Sequence, residues 1–294
     1  MLLKKDFRII IKQNMKEGYE MIIDTHVHIG KILNYNMTEE QVIYSMEKYG
    51  ISYSLVSNIE CSENDHKMNP ISPELLKPQN LILENTLRFA RAYSDKIGVL
   101  AWLKIRTEQP DHRFKKLIDE NRDIIYGLKL HPYHSQTAPD DDKLEPYYRI
   151  AAEYGLPIVS HTGGCEAAAS QRLYNAAKKH PELAFIMVHM DLGTDNKTAL
   201  ELLGKLPNLY GDTTWVPITT TLEAVRRYGS EKMIFGSDNP IDGKDTYLHN
   251  KIGERSLYQQ YFNEFKSMIP QEDYENIMYK NALRIFGIKL PTSL

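Results

Sequence analysis

IIDTHVHIG, residues 22–30, decides between two folds. An apolar, β-branched start reads as a buried strand, and polar groups follow at its end. In an open doubly wound sheet the first strand usually leads into a glycine-rich phosphate turn. Here His-Val-His stands in that place. On a strand, side chains two residues apart share a face. His26 and His28 are therefore expected to point the same way. In a closed barrel that way is inward, at the C-terminal mouth, where two imidazoles can share one metal ion. An H-x-H pair also arises by coincidence; its place at the end of the first strand is what gives it weight.

Outward from this stretch the chain alternates. Strands are expected at 21–27, 52–57, 97–103, 124–130, 157–160, 184–188, 208–212 and 233–235. Helical spacing fills 38–49, 80–93, 111–121, 144–154, 166–179, 198–203, 219–227 and 256–268, and a ninth helix closes the chain at 272–286. Alternating strands and helices imply a parallel sheet with helical crossovers. LAFIMV (183–188) and KMIF (232–235) read as strands buried on both faces. Gly50, Gly155 and Gly229 sit where helices should stop. The expected fold is α/β, a single-domain (β/α)8 TIM barrel over 21–294 with an extra C-terminal helix. Residues 1–20 form an N-terminal extension. A chain of 294 residues suits this fold, which needs about 250.

Composition narrows the function classes. A formal net charge of −3 gives no electrostatic case for nucleic acid or an anionic membrane. The two cysteines, Cys61 and Cys165, lack metal-ligand spacing and suggest a reducing compartment. No apolar run approaches the roughly 20 residues of a membrane helix. The basic N-terminus has too short an apolar core for a signal peptide. A cytoplasmic protein acting on a small-molecule substrate is expected, with a homo-oligomer left open.

Chemistry-bearing residues recur at strand ends. In GLKLHP (127–132), Lys129 and His131 share a face. A buried ammonium is costly unless paired or neutralised. Three readings of Lys129 stand: carboxylated by CO2 and bridging two metals, holding a substrate carboxylate, or paired with a buried acid such as Asp24. His131 lines the pocket or sits at its rim. In IVSHTGG (158–164), His161 is a metal ligand or a satisfied core histidine, and the glycines allow close backbone approach. FIMVHMD (185–191) places His189 equivalently. In MIFGSDNP (233–240), Asp238 follows a buried run. Pro240 is too close for an orderly helix start, so metal ligand and general base is the better reading. Arg106 and Lys104 offer to bind a substrate anion or are solvated loop charges. Trp215 and Trp102 wall the pocket or simply pack. The polar, proline-bearing stretch 60–80 is a lid, a substrate loop or an oligomer contact.

The ordered set IDTHVHIG, GLKLHP, SHTG, VHM and FGSDNP, with the closing IMYKNALRIFGI, resembles the amidohydrolase superfamily. It is most similar to the amidohydrolase 2 branch of metal-dependent hydrolases and non-oxidative decarboxylases. The resemblance spans about residues 21–288. It implies that His26 and His28 are paired metal ligands and that His161 is a further one. Asp238 would bind metal and take the proton of the attacking water. His189 would be a ligand in a two-metal site, or the acid or base in a one-metal site. Lys129 occupies the position of the bridging carboxylated lysine. One or two divalent ions are implied, Zn2+ first, with Mn2+ or Fe2+ as alternatives.

The leading expectation is a metal-dependent hydrolase of an amide, lactone or ester in a small anionic molecule. Asp238 and His189 would be catalytic, and Arg106, His131 and Trp215 would line the substrate site. The alternative is a non-oxidative decarboxylase or hydratase of a small carboxylic acid. A phosphoesterase and a non-catalytic metal-binding protein are further rivals, the last disfavoured because Asp238 is present.

Overall fold

The structure is a computed structural model that describes residues 21–249 and 257–289. The extension expected at 1–20 lies outside the described residues. The strands are β1 (Ile23–Ile32), β2 (Tyr35–Met37), β3 (Tyr53–Asn58), β4 (Ile97–Trp102), β5 (Ile125–Leu130), β6 (Ile158–Gly163), β7 (Phe185–Leu192), β8 (Leu209–Asp212) and β9 (Met233–Ile234). They form one sheet in the order β2-β1-β3-β4-β5-β6-β7-β8-β9. β2 pairs antiparallel with β1, and every other neighbouring pair is parallel. The ring closes because the segment after β9 returns to β1. Thr25 N donates to Phe235 O at 3.1 Å, Asp238 N to His26 O at 2.8 Å and His28 N to Asn239 O at 2.8 Å. The fold is the (β/α)8 barrel that the alternation predicts.

The crossover helices are α1 (Glu39–Tyr49), α2 (Gln79–Ala92), α3 (His112–Glu120), α4 (Pro132–Ser135), α5 (Glu145–Tyr154), α6 (Ser170–Lys179), α7 (Lys197–Leu203) and α8 (Ile218–Tyr228). Local chemistry sets their ends. Thr38 and Gln41 close a capping box at the start of α1, and Gly50 ends it at φ 71°. α9 (Leu257–Phe262) replaces the first half of the helix expected at 256–268, and a 3-10 turn, Phe265–Ser267, replaces the second. The closing helix is one run of α10 (Gln271–Glu275), a π turn at Asn276–Lys280 and α11 (Asn281–Phe286). The hairpin strand β2 and the single turn α4 are not in the sequence reading. Elements of three and four residues are too short to display a period. Among the described residues, no helix is long and apolar enough to cross a membrane.

Two apolar layers hold the fold. One lies between the sheet and the helices. The other fills the barrel interior below the mouth with Ile23, Leu55, Leu100, Val159, Ile186, Val188 and Ile234. The end of the chain seals this interior with Ala282, Phe286 and Ile288. Truncating Phe286, which is buried there, is expected to cost about 3–5 kcal/mol as Phe286→Ala. Urea unfolding of the two proteins checks this. A loss below about 1 kcal/mol would mean that the closing helix does not plug the barrel.

Candidate metal centre and active site

The floor of the mouth is built by β1 and the segment after β9. The β1 ladder shifts register between Asp24 and Val27. His26 N donates to the Asp24 carboxylate at 3.0 Å, which bends the strand in the manner of a bulge. Alternation alone therefore does not aim the pair. In the result, His26 Nε2 and His28 Nε2 face each other at 3.0 Å. Asp238 Oδ1 lies 2.9 Å from His28 Nε2 and 3.5 Å from His26 Nε2. Both rings are held from behind. Ser57 Oγ lies 2.9 Å from His28 Nδ1, and Thr214 Oγ1 lies 3.2 Å from His26 Nδ1. Gly236 makes room here, because a Cβ would stand 2.6 Å from Asp212 Oδ2 and 3.0 Å from His26 Cβ.

Six rings close a circuit around the mouth. From His26 the neighbours are His28 at 4.7 Å, Trp102 at 5.4 Å and His131 at 5.0 Å, then His161 at 4.2 Å, His189 at 4.7 Å and His26 again at 5.3 Å. His131 is stacked between Trp102 and His161, with interplanar angles of 7° and 14°. His189 Nδ1 lies 3.3 Å from Thr214 O, so it donates there and leaves Nε2 as the acceptor. Its backbone N donates to Asp212 Oδ1. His189, Trp215 and Asp238 have φ of 70°, 57° and 66°. Such backbone costs on the order of 1–3 kcal/mol per residue and clusters at functional sites.

Lys129 is wholly buried, and its Nζ lies 2.9 Å from His26 Nε2. Burial lowers its pKa to about 8, against the pull of Asp238 and Asp212. The pairing with Asp24 does not form. Asp24 is engaged by Ser237, Tyr247 and His26 N, and the nearby acids are Asp212 and Asp238. Asp212 was not singled out from sequence, although it ends β8 as the other site residues end their strands.

These residues fit a divalent cation. His26, His28 and Asp238 form the one group among the described residues with three donor atoms gathered closely enough to hold an ion. Metal binding requires neutral imidazole. Burial lowers His26 and His161 well below the ordinary histidine value and His189 to about 4. Burial pushes Asp238 up, but the hydrogen bond and charge of His28, with His189 and Lys129, outweigh it and hold the carboxyl low. His161 and His189 stand outside the tight group. His161 Nε2 lies 3.3 Å from Gly163 O, while its Nδ1 is buried without a partner. A donor set of imidazole nitrogens and a carboxylate is one that Zn2+, Mn2+ and Fe2+ all accept.

Above the floor lies a cavity of about 410 Å3. His28, His131, His161, His189 and Asp238 line its base, and Tyr35, Met37, Tyr133, His134 and Trp215 its walls. His66 reaches it from the stretch expected to be a lid or substrate loop, and Ile59 from just before that stretch. That stretch is tied down: Tyr133 Oη donates to His66 O at 2.9 Å, and Glu63 accepts from Arg106 N and from Thr107. No lysine or arginine lines the cavity among the described residues. Arg106 is exposed outside it and donates to Asn64 Oδ1 at 2.6 Å. Lys104 is buried against Lys77 O and Glu108. Sequence reasoning missed Tyr35, Tyr133, His134 and His66, whose hairpin, turn and loop carry no periodic signal.

The amidohydrolase family model, of the amidohydrolase 2 branch, matches residues 89–288. Among curated proteins none matches the chain. Solved structures share the fold. The 2,6-dihydroxybenzoate decarboxylase from Rhizobium aligns over 92% of this chain and 99% of its own, with a TM-score of 0.66 at 14% identity. A 5-carboxyvanillate decarboxylase from Novosphingobium aromaticivorans, solved with bound manganese, covers 91% and 97%, with a TM-score of 0.66 at 10% identity. A TIM-barrel protein from Bordetella bronchiseptica covers 91% and 99%, with a TM-score of 0.62 at 16% identity. At these identities the likeness is one of fold.

His131 gives the site a measurable pH signature. Burial, then the neighbouring His161 and His134, hold its imidazole neutral in the folded protein. The unfolded chain takes up that proton below about pH 6.5, so folding stability is lost as pH falls through that value. Between pH 7.5 and 5.5 the metal-free wild type should lose about 1 kcal/mol more stability than His131→Gln. Urea unfolding at both pH values measures the difference. Equal losses in the two proteins would mean that His131 is not held neutral.

Proposed function

The chain belongs to the amidohydrolase family, and from that premise we propose that it is a metal-dependent decarboxylase of a small, flat ring carboxylic acid. The observation that carries this reading is the division of the mouth. Its walls are aromatic and apolar, without lysine or arginine among the described residues, and its floor gathers His26, His28 and Asp238. A divalent ion on those three residues would supply a strong positive charge at the floor that a carboxylate in this cavity can meet. The aromatic side chains of Trp215, Tyr133 and Tyr35, with His131 held stacked against Trp102, line the cavity and suit a ring.

Loss of CO2 from a ring carbon leaves a carbon that must gain a proton. Asp238 and His189 both line the base of the cavity, where they can carry that proton. His189 is held by Thr214 O through Nδ1, which leaves Nε2 available for the transfer. Lys129 contributes positive charge beneath His26. The two decarboxylases of like fold support the reading, since their names carry ring carboxylates, and one was solved with manganese.

Hydrolysis is the second reading, and one observation reshapes it. Without a lysine or arginine lining the cavity among the described residues, a substrate anion lacks the grip expected from Arg106. A neutral amide, lactone or ester then suits the site better than an anionic one. Asp238 would take the proton of the attacking water.

Metal analysis and product analysis test these together. We expect about one equivalent of metal in wild type, lost in His26→Ala and in Asp238→Ala and retained in Lys129→Ala. Hydroxybenzoic acids should release CO2 with the Mn2+- or Zn2+-loaded enzyme, and chelation should abolish the release. Turnover of neutral esters or amides with no CO2 from any ring acid would overturn the decarboxylase in favour of hydrolysis. Two equivalents that fall with Lys129→Ala would replace the single-ion floor by a bridged pair.

A further inference from the structure

All three candidate ligands sit on one seam, where β1 meets the segment after β9. His26 and His28 lie on one side and Asp238 on the other. Whether their donor atoms converge depends on how the two segments are set against each other. Three backbone hydrogen bonds cross the seam. Buried side chains cross it as well: Thr25 Oγ1 donates to Phe235 O at 2.9 Å, and a second side chain both bends β1 and grips Ser237 beyond the seam.

That side chain is Asp24, fully buried in β1. Its Oδ1 accepts from His26 N at 3.0 Å, the bond that goes with the break in register. Its Oδ2 accepts from Ser237 Oγ, across the seam, and from Tyr247 Oη at 2.6 Å. Ser237 passes the connection on, because Asn239 N donates to its Oγ at 3.1 Å and Tyr258 Oη donates to its carbonyl oxygen. Asp238 is thus bracketed by two residues tied to this network. Both Asp24 oxygens are committed to protein donors, and Asp24 is not one of the three gathered ligands. A buried carboxylate is costly unless fully hydrogen-bonded, and an apolar residue would pack a seam as well. What an apolar residue cannot do is bend β1 and grip the opposite segment together.

We propose that Asp24, with Ser237 and Tyr247, is a positioning network that sets the histidine pair against Asp238 and so fixes the geometry and affinity of the metal centre. The inference rests on the reading of His26, His28 and Asp238 as that centre. It assigns a role in metal binding to Tyr247, a residue that does not line the cavity. Outer partners of metal ligands act this way in general, and their loss typically weakens binding about 10–100-fold.

Co2+ substitution tests it without recourse to activity. The full-length protein is stripped of metal and titrated with Co2+ against a chromophoric chelator, and the visible spectrum of the bound ion is recorded. The variants are Tyr247→Phe, which removes one hydroxyl, and Asp24→Asn, which keeps the shape. Tyr148→Phe is the control, because it loses a comparably buried hydroxyl bond, to Pro139 O at 2.6 Å, away from the seam. Tyr247→Phe and Asp24→Asn should bind Co2+ about 10–100-fold more weakly with an altered spectrum, and Tyr148→Phe should match wild type. If Asp24→Asn does not fold, Tyr247→Phe decides alone. A folded Tyr247→Phe with wild-type affinity and spectrum overturns the positioning role while leaving the metal centre standing. A wild type that takes up no Co2+ overturns the metal centre, and this inference with it.

Discussion

Closure of β1 onto the segment after β9 is the constraint on which the rest of this molecule depends. Without it the parallel strands would end in two open edges, and unpaired edges are a liability that a barrel abolishes. β9 itself has only two residues, Met233 and Ile234. The ring is completed beyond them by irregular backbone at Phe235, Asp238 and Asn239. That irregularity has a chemical consequence. A regular strand would alternate its side chains in and out, whereas this segment turns through φ 66° at Asp238 and brings its carboxylate against both histidines. The place where the sheet is least regular is where the donors converge.

The electrostatics of the mouth follow from the same compression. Five imidazoles and one indole are packed ring to ring, so water is excluded from most of their polar atoms. Burial disfavours charge on His26, His131, His161 and His189, and a proton on one of these rings would disfavour a proton on its neighbours. The positive charge of Lys129 reinforces this for His26, His161 and His189. The outcome is that His26, His161 and His189 are held neutral at ordinary pH, while the Asp238 carboxyl is held low. No single residue produces that state. It comes from the density of rings that eight strand ends can deliver to one opening.

Much of this was legible in the chain. The strand-end residues His26, His28, Lys129, His161, His189 and Asp238 could be picked out because each follows an apolar run, and a barrel gathers such ends. Asp212 obeys the same rule at the end of LYGD, so the signal for it is present in the sequence as well. The walls were a different matter. Tyr35 and Met37 come from a three-residue strand, Tyr133 and His134 from a four-residue turn, and His66 from an irregular loop. None has a period to read, and their place in the cavity depends on side-chain bonds such as that of His134 Nδ1 with Asn64 O. Arg106 shows the reverse. Its position after β4 suggested a substrate anion, yet Asn64 takes its guanidinium outside the cavity. Proximity in sequence to a strand end does not decide which way a loop side chain turns.

The absence of a lysine or arginine from the described cavity lining bears most on the chemistry. A pocket that grips an anion with its walls fixes a substrate by charge at a distance from the reacting centre. Here charge is confined to the floor, and the walls offer flat rings and neutral hydrogen-bonding groups. Selection among substrates then falls to shape, and apolar contact discriminates only weakly between molecules of similar outline. A substrate is oriented by having only one charged end to place. In the proposed decarboxylation that end is the group that leaves. The carboxylate would be drawn to the floor whatever the rest of the ring carries, and Asp238 and His189 line the base of the cavity where the proton would be carried. An enzyme built this way should tolerate variation at the mouth far better than any change in the spacing of its floor.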